Sequence, residues 1–174
     1  RGGSIIACGL ADGNLKLWKH STGEVLRYFN GHTEEITALA LIDTPKGVEW
    51  LVVISASKDK NVRTWLYAKE KSLRVIRHQR ESYCSRVNAL AGPVIVSGSM
   101  DNTVRLWSHQ SQSCLRKIAD SSAPISSVAG HHPVLLSGSW DTTVSVWDLL
   151  TMEYKRTLEG HTGQGIRPEG FFYR

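Results

Sequence analysis

The sequence predicts an all-β protein assembled from about four copies of one four-stranded antiparallel unit, and three observations lead there. An aspartate is followed six residues later by tryptophan four times: Asp12 and Trp18, Asp59 and Trp65, Asp101 and Trp107, Asp141 and Trp147. The tryptophans lie 47, 42 and 40 residues apart, and self-similarity at that period marks one supersecondary unit copied in tandem. Within each copy, apolar and polar residues alternate with period two, the signature of a half-buried strand.

The elements follow in chain order within each copy. A strand of small and apolar residues comes first, as in Val94-Ile95-Val96-Ser97, and runs into a turn at the aspartate. A strictly alternating strand follows, Val104-Arg105-Leu106-Trp107 or Val144-Ser145-Val146-Trp147, rich in β-branched and aromatic residues. A polar turn comes after the tryptophan: His20 to Gly23, His109 to Gln112, Asp148 to Glu153. More polar strands then read as outer edges facing water: Val25 to Phe29, Leu73 to Ile76, Cys114 to Ile118 and Tyr154 to Leu158. An apolar strand opens the following copy: Ile36 to Leu41, Val87 to Ala91 and Ile125 to Ala129. The stretch 70–79 can be drawn as a short helix, but its place in the repeat makes it an outer strand. Residues 43–50 widen one turn and account for the longest spacing. Gly130-His131 falls inside a copy, and His131-His132-Pro133 reads as a hairpin connection, which proline suits.

Composition narrows the class. The chain of 174 residues is 41% hydrophobic and 21% charged, as in soluble folded proteins. Lys and Arg number 21 against 16 Asp and Glu, a net charge of +5 that solubility alone explains. Cys8, Cys84 and Cys114 form no C-x-x-C pair. An odd count argues for free thiols and an intracellular setting, cytoplasmic or nuclear, and against a disulfide framework or zinc ribbon. No apolar run of about 18 residues exists, so no membrane span is expected, and no signal peptide is visible. The chain starts on Arg1 inside a repeat, which leads us to expect a segment of something longer.

These residues together resemble a known family. The period, the S-G-S-x-D-x-T-V-x-x-W core, the Gly31-His32 and Gly160-His161 pairs and Trp147-Asp148 are similar to WD-repeat (WD40) β-propellers over residues 4–162. The resemblance implies a propeller segment of four-stranded antiparallel blades, with 163–174 as an irregular tail. Four units fall short of the family's usual ring. The expectation is therefore further WD repeats of a longer chain, or a second copy, to close it.

The resemblance also implies a hydrogen-bonded set in each blade: the histidine of the Gly-His pair, a serine, the turn aspartate and the tryptophan. Only the second unit carries all four, His32, Ser55, Asp59 and Trp65. The third keeps Ser97, Asp101 and Trp107, with Tyr83 at the histidine position. The fourth keeps Ser137, Asp141 and Trp147, with Ser121 there. In the first, Cys8 replaces the serine. Because the same residue types recur in every unit, they read as structural and not as a catalytic triad, and no G-x-S-x-G elbow is present. His109, His131 and His132 lack metal-ligand spacing, and Gly163-Gln164-Gly165 lacks a third glycine and a following helix. No enzyme activity, metal or cofactor is expected.

The expected function is a non-enzymatic scaffold or adaptor binding protein or peptide partners on the propeller rim. The rim positions implied by the resemblance are Glu35, Thr37 and Lys58; Arg86, Asn88 and Met100; and Pro124, Ser126 and Trp140. Trp140 stands out, since the turn does not need it and exposed aromatics anchor interfaces. The alternative is a nucleic-acid-associated adaptor using the basic stretch Arg74, Arg77, His78, Arg80 and Arg86. The plainer account of that stretch is an outer strand and loop whose charge blunts edge-to-edge pairing.

Overall fold

The computed structural model describes residues 5–42, 51–69, 72–78, 82–89, 92–108, 113–119, 121–131 and 133–163. Among them there is no helix, and the strands form separate antiparallel sheets. The first sheet contains β1 (Ile5–Gly9), β2 (Leu15–Lys19) and β3 (Val25–Phe29). The second contains β4 (Ile36–Ile42), β5 (Val52–Ser57), β6 (Asn61–Leu66) and β7 (Ser72–Arg77). The third contains β8 (Ser82–Ala89), β9 (Gly92–Ser99), β10 (Thr103–Ser108) and β11 (Cys114–Ala119). The fourth contains β12 (Ile125–His131), β13 (Val134–Ser139), β14 (Val144–Asp148) and β15 (Glu153–Leu158). In each sheet, strands adjacent in sequence are adjacent in space.

Three expectations change. The first sheet has three strands among the described residues, not four. The inner strand of the third sheet begins at Ser82 rather than Val87 and ends at Ala89, so Tyr83 lies within a strand and not in the loop before it. Gly130 and His131 end β12, paired with Leu135 and Val134, and so belong to the strand and not to the hairpin connection. The widened turn at 43–50 and the tail at 164–174 lie outside the described residues. Gly160, His161 and Thr162 carry no strand.

The chain divides into two compact units, 1–82 and 83–174. In the first, Leu15, Leu17 and Phe29 of the first sheet pack with Ile36, Val53 and Trp65 of the second and with Leu51 just before β5. In the other, Val94, Val96, Val104, Leu106 and Ile118 pack with Ile125, Val128, Leu135 and Trp147. Period-two alternation puts these residues on facing sheet surfaces. Two glycines permit the close approach. A Cβ on Gly9 would overlap the Ile36 side chain, and one on Gly98 would overlap that of Ile125. In all four sheets the register shifts at the tryptophan, so each outer strand carries one extra residue opposite it.

Candidate functional site

Each aspartate builds its turn first with its own backbone neighbourhood. Its Oδ1 accepts the amide two residues on: Asn14 to Asp12 at 2.9 Å, Asn61 to Asp59 at 2.9 Å, Thr103 to Asp101 at 3.1 Å and Thr143 to Asp141 at 3.1 Å. This Asx turn is the local physics that favours Asp here. In three turns a serine two residues before accepts the aspartate's own amide: Ser57, Ser99 and Ser139. The residue after each aspartate is left-handed: Gly13, Lys60, Asn102 and Thr142, with φ of 84°, 70°, 65° and 72°. Glycine takes that conformation at no steric cost and asparagine tolerates it, whereas Lys60 and Thr142 carry strain there.

What differs between copies is the partner of the second carboxylate oxygen. In the second sheet, Trp65 Nε1 lies 2.8 Å from Ser55 Oγ, Ser55 Oγ 2.8 Å from His32 Nε2, and His32 Nδ1 2.7 Å from Asp59 Oδ2. An indole N–H can only donate and a carboxylate can only accept. The chain therefore has one polarity: Trp65 donates to Ser55, Ser55 to the bare Nε2 of His32, and the protonated Nδ1 of His32 to Asp59. The amide of Thr33 donates to the same carboxylate oxygen at 3.2 Å.

Burial drives the His32 imidazole below the ordinary histidine value, against the pull of Asp59. Burial pushes the Asp59 carboxyl up, yet donation from His32 and from the amides of Asn61 and Thr33 outweighs it and holds it below the ordinary aspartate value. The Ser–His–Asp order looks like a hydrolytic triad. However, Ser55 is fully buried and its oxygen already accepts from Trp65, so it is closed to an incoming substrate.

In the third sheet Trp107 donates to Ser97 at 2.8 Å, while Asp101 Oδ2 takes Arg105 at 3.0 Å. In the fourth, Trp147 donates to Ser137 at 3.0 Å, and Asp141 Oδ2 accepts from Ser122 at 2.8 Å and Ser121 at 3.2 Å. Ser121 Oγ also lies 2.6 Å from Ser139 Oγ, so its single proton is shared between that oxygen and Asp141. In the first, Asp12 Oδ2 takes the Asn14 amide nitrogen at 2.8 Å and the carboxyl is exposed. Arg105 and Ser122 were not singled out in the sequence. The available signal was the arginine four residues after Asp101, where the next strand brings it back beside the turn.

In the second and fourth sheets the expected rim residues gather at the end that carries the aspartate turn, whereas in the third Met100 follows β9 at that end but Arg86 and Asn88 lie toward the other end, in the C-terminal half of β8. The amide of Lys58 donates to Glu35 O at 3.0 Å and that of Trp140 to Pro124 O at 2.9 Å. In these two sheets the loop before the inner strand is thereby tied to the residue before the turn aspartate. Ser57 adds a bond to Glu34 O at 2.9 Å, and Ser139 one to Ala123 O at 3.3 Å. Lys58 Nζ and Glu35 Oε2 form a half-exposed ion pair at 2.7 Å. Trp140 is 37% exposed. Thr37 and Ser126 sit at register shifts near the start of β4 and β12, and their hydroxyls donate to Ala56 O and Gly138 O at 3.2 Å. Met100 is partly buried. Arg86 and Asn88 lie on β8, and their side chains fall outside the described part.

Of the basic stretch, Arg77 is exposed at the end of β7, but His78 is buried and turned away from solvent anions. Arg74 lies on β7 with its side chain outside the described part, and Arg80 lies outside the described residues. No group of three His, Cys, Asp or Glu side chains among the described residues is placed to hold a metal ion. Cys8 and Cys114 carry free thiols.

The model of the family described as "WD domain, G-beta repeat" matches residues 23–65, 71–108 and 112–148, more than half of the chain. The chain belongs to the WD-repeat family. Proteins of this family are typically non-enzymatic scaffolds for protein–protein interaction. The chain is similar to "WD repeat and SOCS box-containing protein 1" of Xenopus tropicalis, 37% identical over 82 residues, which is 46% of this chain and 18% of the relative. The protein of that name from Danio rerio is 37% identical over 83 residues, 47% of this chain and 19% of the relative. The Homo sapiens protein is 38% identical over 61 residues, 35% of this chain and 14% of the relative. Each match thus spans less than a fifth of the relative. Among solved structures, the computationally designed Ika8 protein superposes with a TM-score of 0.77 and 29% identity, over 92% of this chain and 48% of that chain. WD-repeat blades account for the fourfold turn and for the dipeptide Trp147-Asp148, whose aspartate accepts the amides of Leu150 at 2.8 Å and Thr151 at 3.2 Å.

Proposed function

We propose that this chain is a non-enzymatic adaptor that engages protein or peptide partners through the turn end of its blades, with Trp140 as an anchor. The observation that carries this reading is the placement of Trp140. Its backbone is bonded to Pro124, the aspartate beside it is clamped by Ser121 and Ser122, and the residue remains 37% exposed. An aromatic held in place before binding loses little entropy on contact, which is what an interface hot spot requires. The Lys58–Glu35 pair offers a second, charged contact at the equivalent place in the second blade. The relatives are named for a SOCS box beside their WD repeats, which fits an adaptor that joins proteins.

The test is affinity capture from cell lysate with the parent chain, Trp140→Ala, Lys58→Glu and an outer-strand control, Val75→Ala. Loss of specific captured proteins by about tenfold or more with Trp140→Ala, and none with the control, supports the rim. An unchanged captured set with both rim substitutions removes it. Salt-sensitive retention on an RNA or DNA column, unaffected by Trp140→Ala, would favour the basic stretch instead.

A further inference from the structure

We infer that Ser122 is a phosphorylation site, and that a phosphate there opens the clamp on Asp141 that ties the loop before β12 to the turn between β13 and β14. What holds the second carboxylate oxygen differs among the four turns. Asp59 Oδ2 is held by the buried imidazole of His32 and the backbone amide of Thr33. Asp101 Oδ2 takes Arg105 and Asp12 Oδ2 takes Asn14, each from within its own sheet. None of these donors is an alcohol. Asp141 Oδ2 is held by serine hydroxyls, Ser122 at 2.8 Å and Ser121 at 3.2 Å. Ser121 is half-buried and shares its one proton with Ser139. Ser122 is exposed and gives the shorter bond. Its loop runs from the third sheet to the fourth, and those two sheets pack on each other through one core.

An exposed alcohol on a loop is open to a protein kinase. Ser122 Oγ forms a bond to the γ-phosphorus of a nucleoside triphosphate held by the kinase, and the bond from that phosphorus to the β–γ bridging oxygen breaks. The nucleoside diphosphate leaves, and the hydroxyl proton passes to a carboxylate of the kinase. The product carries about 1.5 to 2 negative charges at neutral pH where a proton was donated before. Burial pushes the Asp141 carboxyl up, yet donation from Thr143 and Ser122 outweighs this and holds it below the ordinary aspartate value, so it is charged at the same pH. Like charge then faces like charge, and Asp141 Oδ2 keeps only the proton that Ser121 shares with Ser139. The remaining ties between loop and turn are the Trp140 amide to Pro124 O at 2.9 Å and the Ser139 hydroxyl to Ala123 O at 3.3 Å. The first of these adjoins the charged pair, so repulsion loosens Trp140 from its loop. That this weakens partner binding rests on the rim reading above; the phosphate and the opening do not.

The chain isolated from cultured vertebrate cells treated with phosphatase inhibitors is expected to carry phosphate on Ser122, located by fragmentation mass spectrometry of its peptides. Absence of phosphate at that residue overturns the assignment. The opening is read by amide hydrogen exchange on chain made with phosphoserine at position 122, beside the parent and Ser122→Ala. The Trp140 amide is expected to exchange fastest in the phosphoserine form, by about tenfold or more over Ser122→Ala. That difference should shrink as salt is raised to about 1 M, because the cause is repulsion between charges near the surface. The Lys58 amide, bonded to Glu35 O in the second sheet, keeps the parent's rate in all three. Equal Trp140 rates in the phosphoserine form and Ser122→Ala overturn the opening, as does a Lys58 amide that quickens by the same factor. Neither readout involves a partner. An unchanged captured set with Trp140→Ala would remove the rim reading and leave this one standing, and the reverse holds for a failure here.

Discussion

His32 donates its Nδ1 proton to Asp59 across 2.7 Å, and this bond links the loop before β4 to the turn between β5 and β6. The other blades keep the aspartate but fill its second oxygen from different sources: Arg105 for Asp101, Ser121 and Ser122 for Asp141, Asn14 for Asp12. The turn itself needs only the aspartate and the amide two residues on. A cross-link from turn to loop is an addition, made by His32 in the second blade and by Ser121 and Ser122 in the fourth, whereas Arg105 and Asn14 bond their aspartates locally.

The His32–Asp59 pair makes stability depend on pH in one direction. His32 is held below its ordinary value of 6.5, so just below that pH the unfolded chain binds a proton that the folded chain refuses. Its contribution is full above pH 6.5 and shrinks as pH falls, levelling off once the folded value is passed. Asp59, held below 3.8, adds a further loss when pH falls through its own folded value. Urea midpoints measured from pH 7.5 to 5 should decline for the parent and decline less for His32→Gln. Equal slopes would show that His32 does not titrate with folding.

Removing the aspartate should cost very different amounts in two equivalent turns. Asp59→Ala strands the Nδ1–H of His32 and the amides of Thr33 and Asn61, a loss of about 1–3 kcal/mol for buried unsatisfied donors. Asp12 is exposed and holds only Asn14, so Asp12→Ala should stay within about 1 kcal/mol, because water replaces the lost acceptor. Thermal melts of the two variants compare them directly, and a similar loss in both would contradict the account.

Thr142 is a β-branched residue at φ 72°, in the place where the first blade has Gly13. The left-handed region costs such a side chain about 1–2 kcal/mol, while asparagine tolerates it. Thr142→Asn is therefore expected to raise the urea midpoint, by an amount equivalent to about 1 kcal/mol. A lower midpoint would mean that contacts of the Thr142 side chain outweigh the backbone strain.

The repeat made most of the architecture legible. Asp-to-Trp spacing and alternation located the strands because both arise within about ten neighbouring residues, where sequence and geometry are tightly coupled. The start of β8 was missed because Ser82 to Arg86 shows no apolar alternation, and that strand is specified by its pairing with β9. The same limit applies to the site. His32, Ser55, Asp59 and Trp65 could be named from a resemblance, whereas Arg105 and Ser122 were hidden: they reach their aspartates through the side chain each blade happens to have nearby. Thr37 and Ser126 were read as rim contacts, yet their hydroxyls also close register shifts in β4 and β12, which no local pattern announces.

Close sheet packing gives the last test. Gly98 lies where any Cβ would overlap Ile125 and press on Val128 Cγ1 at 3.1 Å. Both of those residues belong to the buried cluster between the third and fourth sheets. Overfilling a packed core costs about 1–3 kcal/mol, so Gly98→Ala should lower the melting temperature clearly. Ile125→Ala alone leaves a cavity and costs about 2–5 kcal/mol. Made together, the two changes place the new methyl beside the space vacated by the Ile125 side chain, so their combined cost should be less than the sum by about 0.5 kcal/mol or more. Strict additivity in the double-mutant cycle would mean that the glycine is there for its backbone conformation and not for the neighbour it admits.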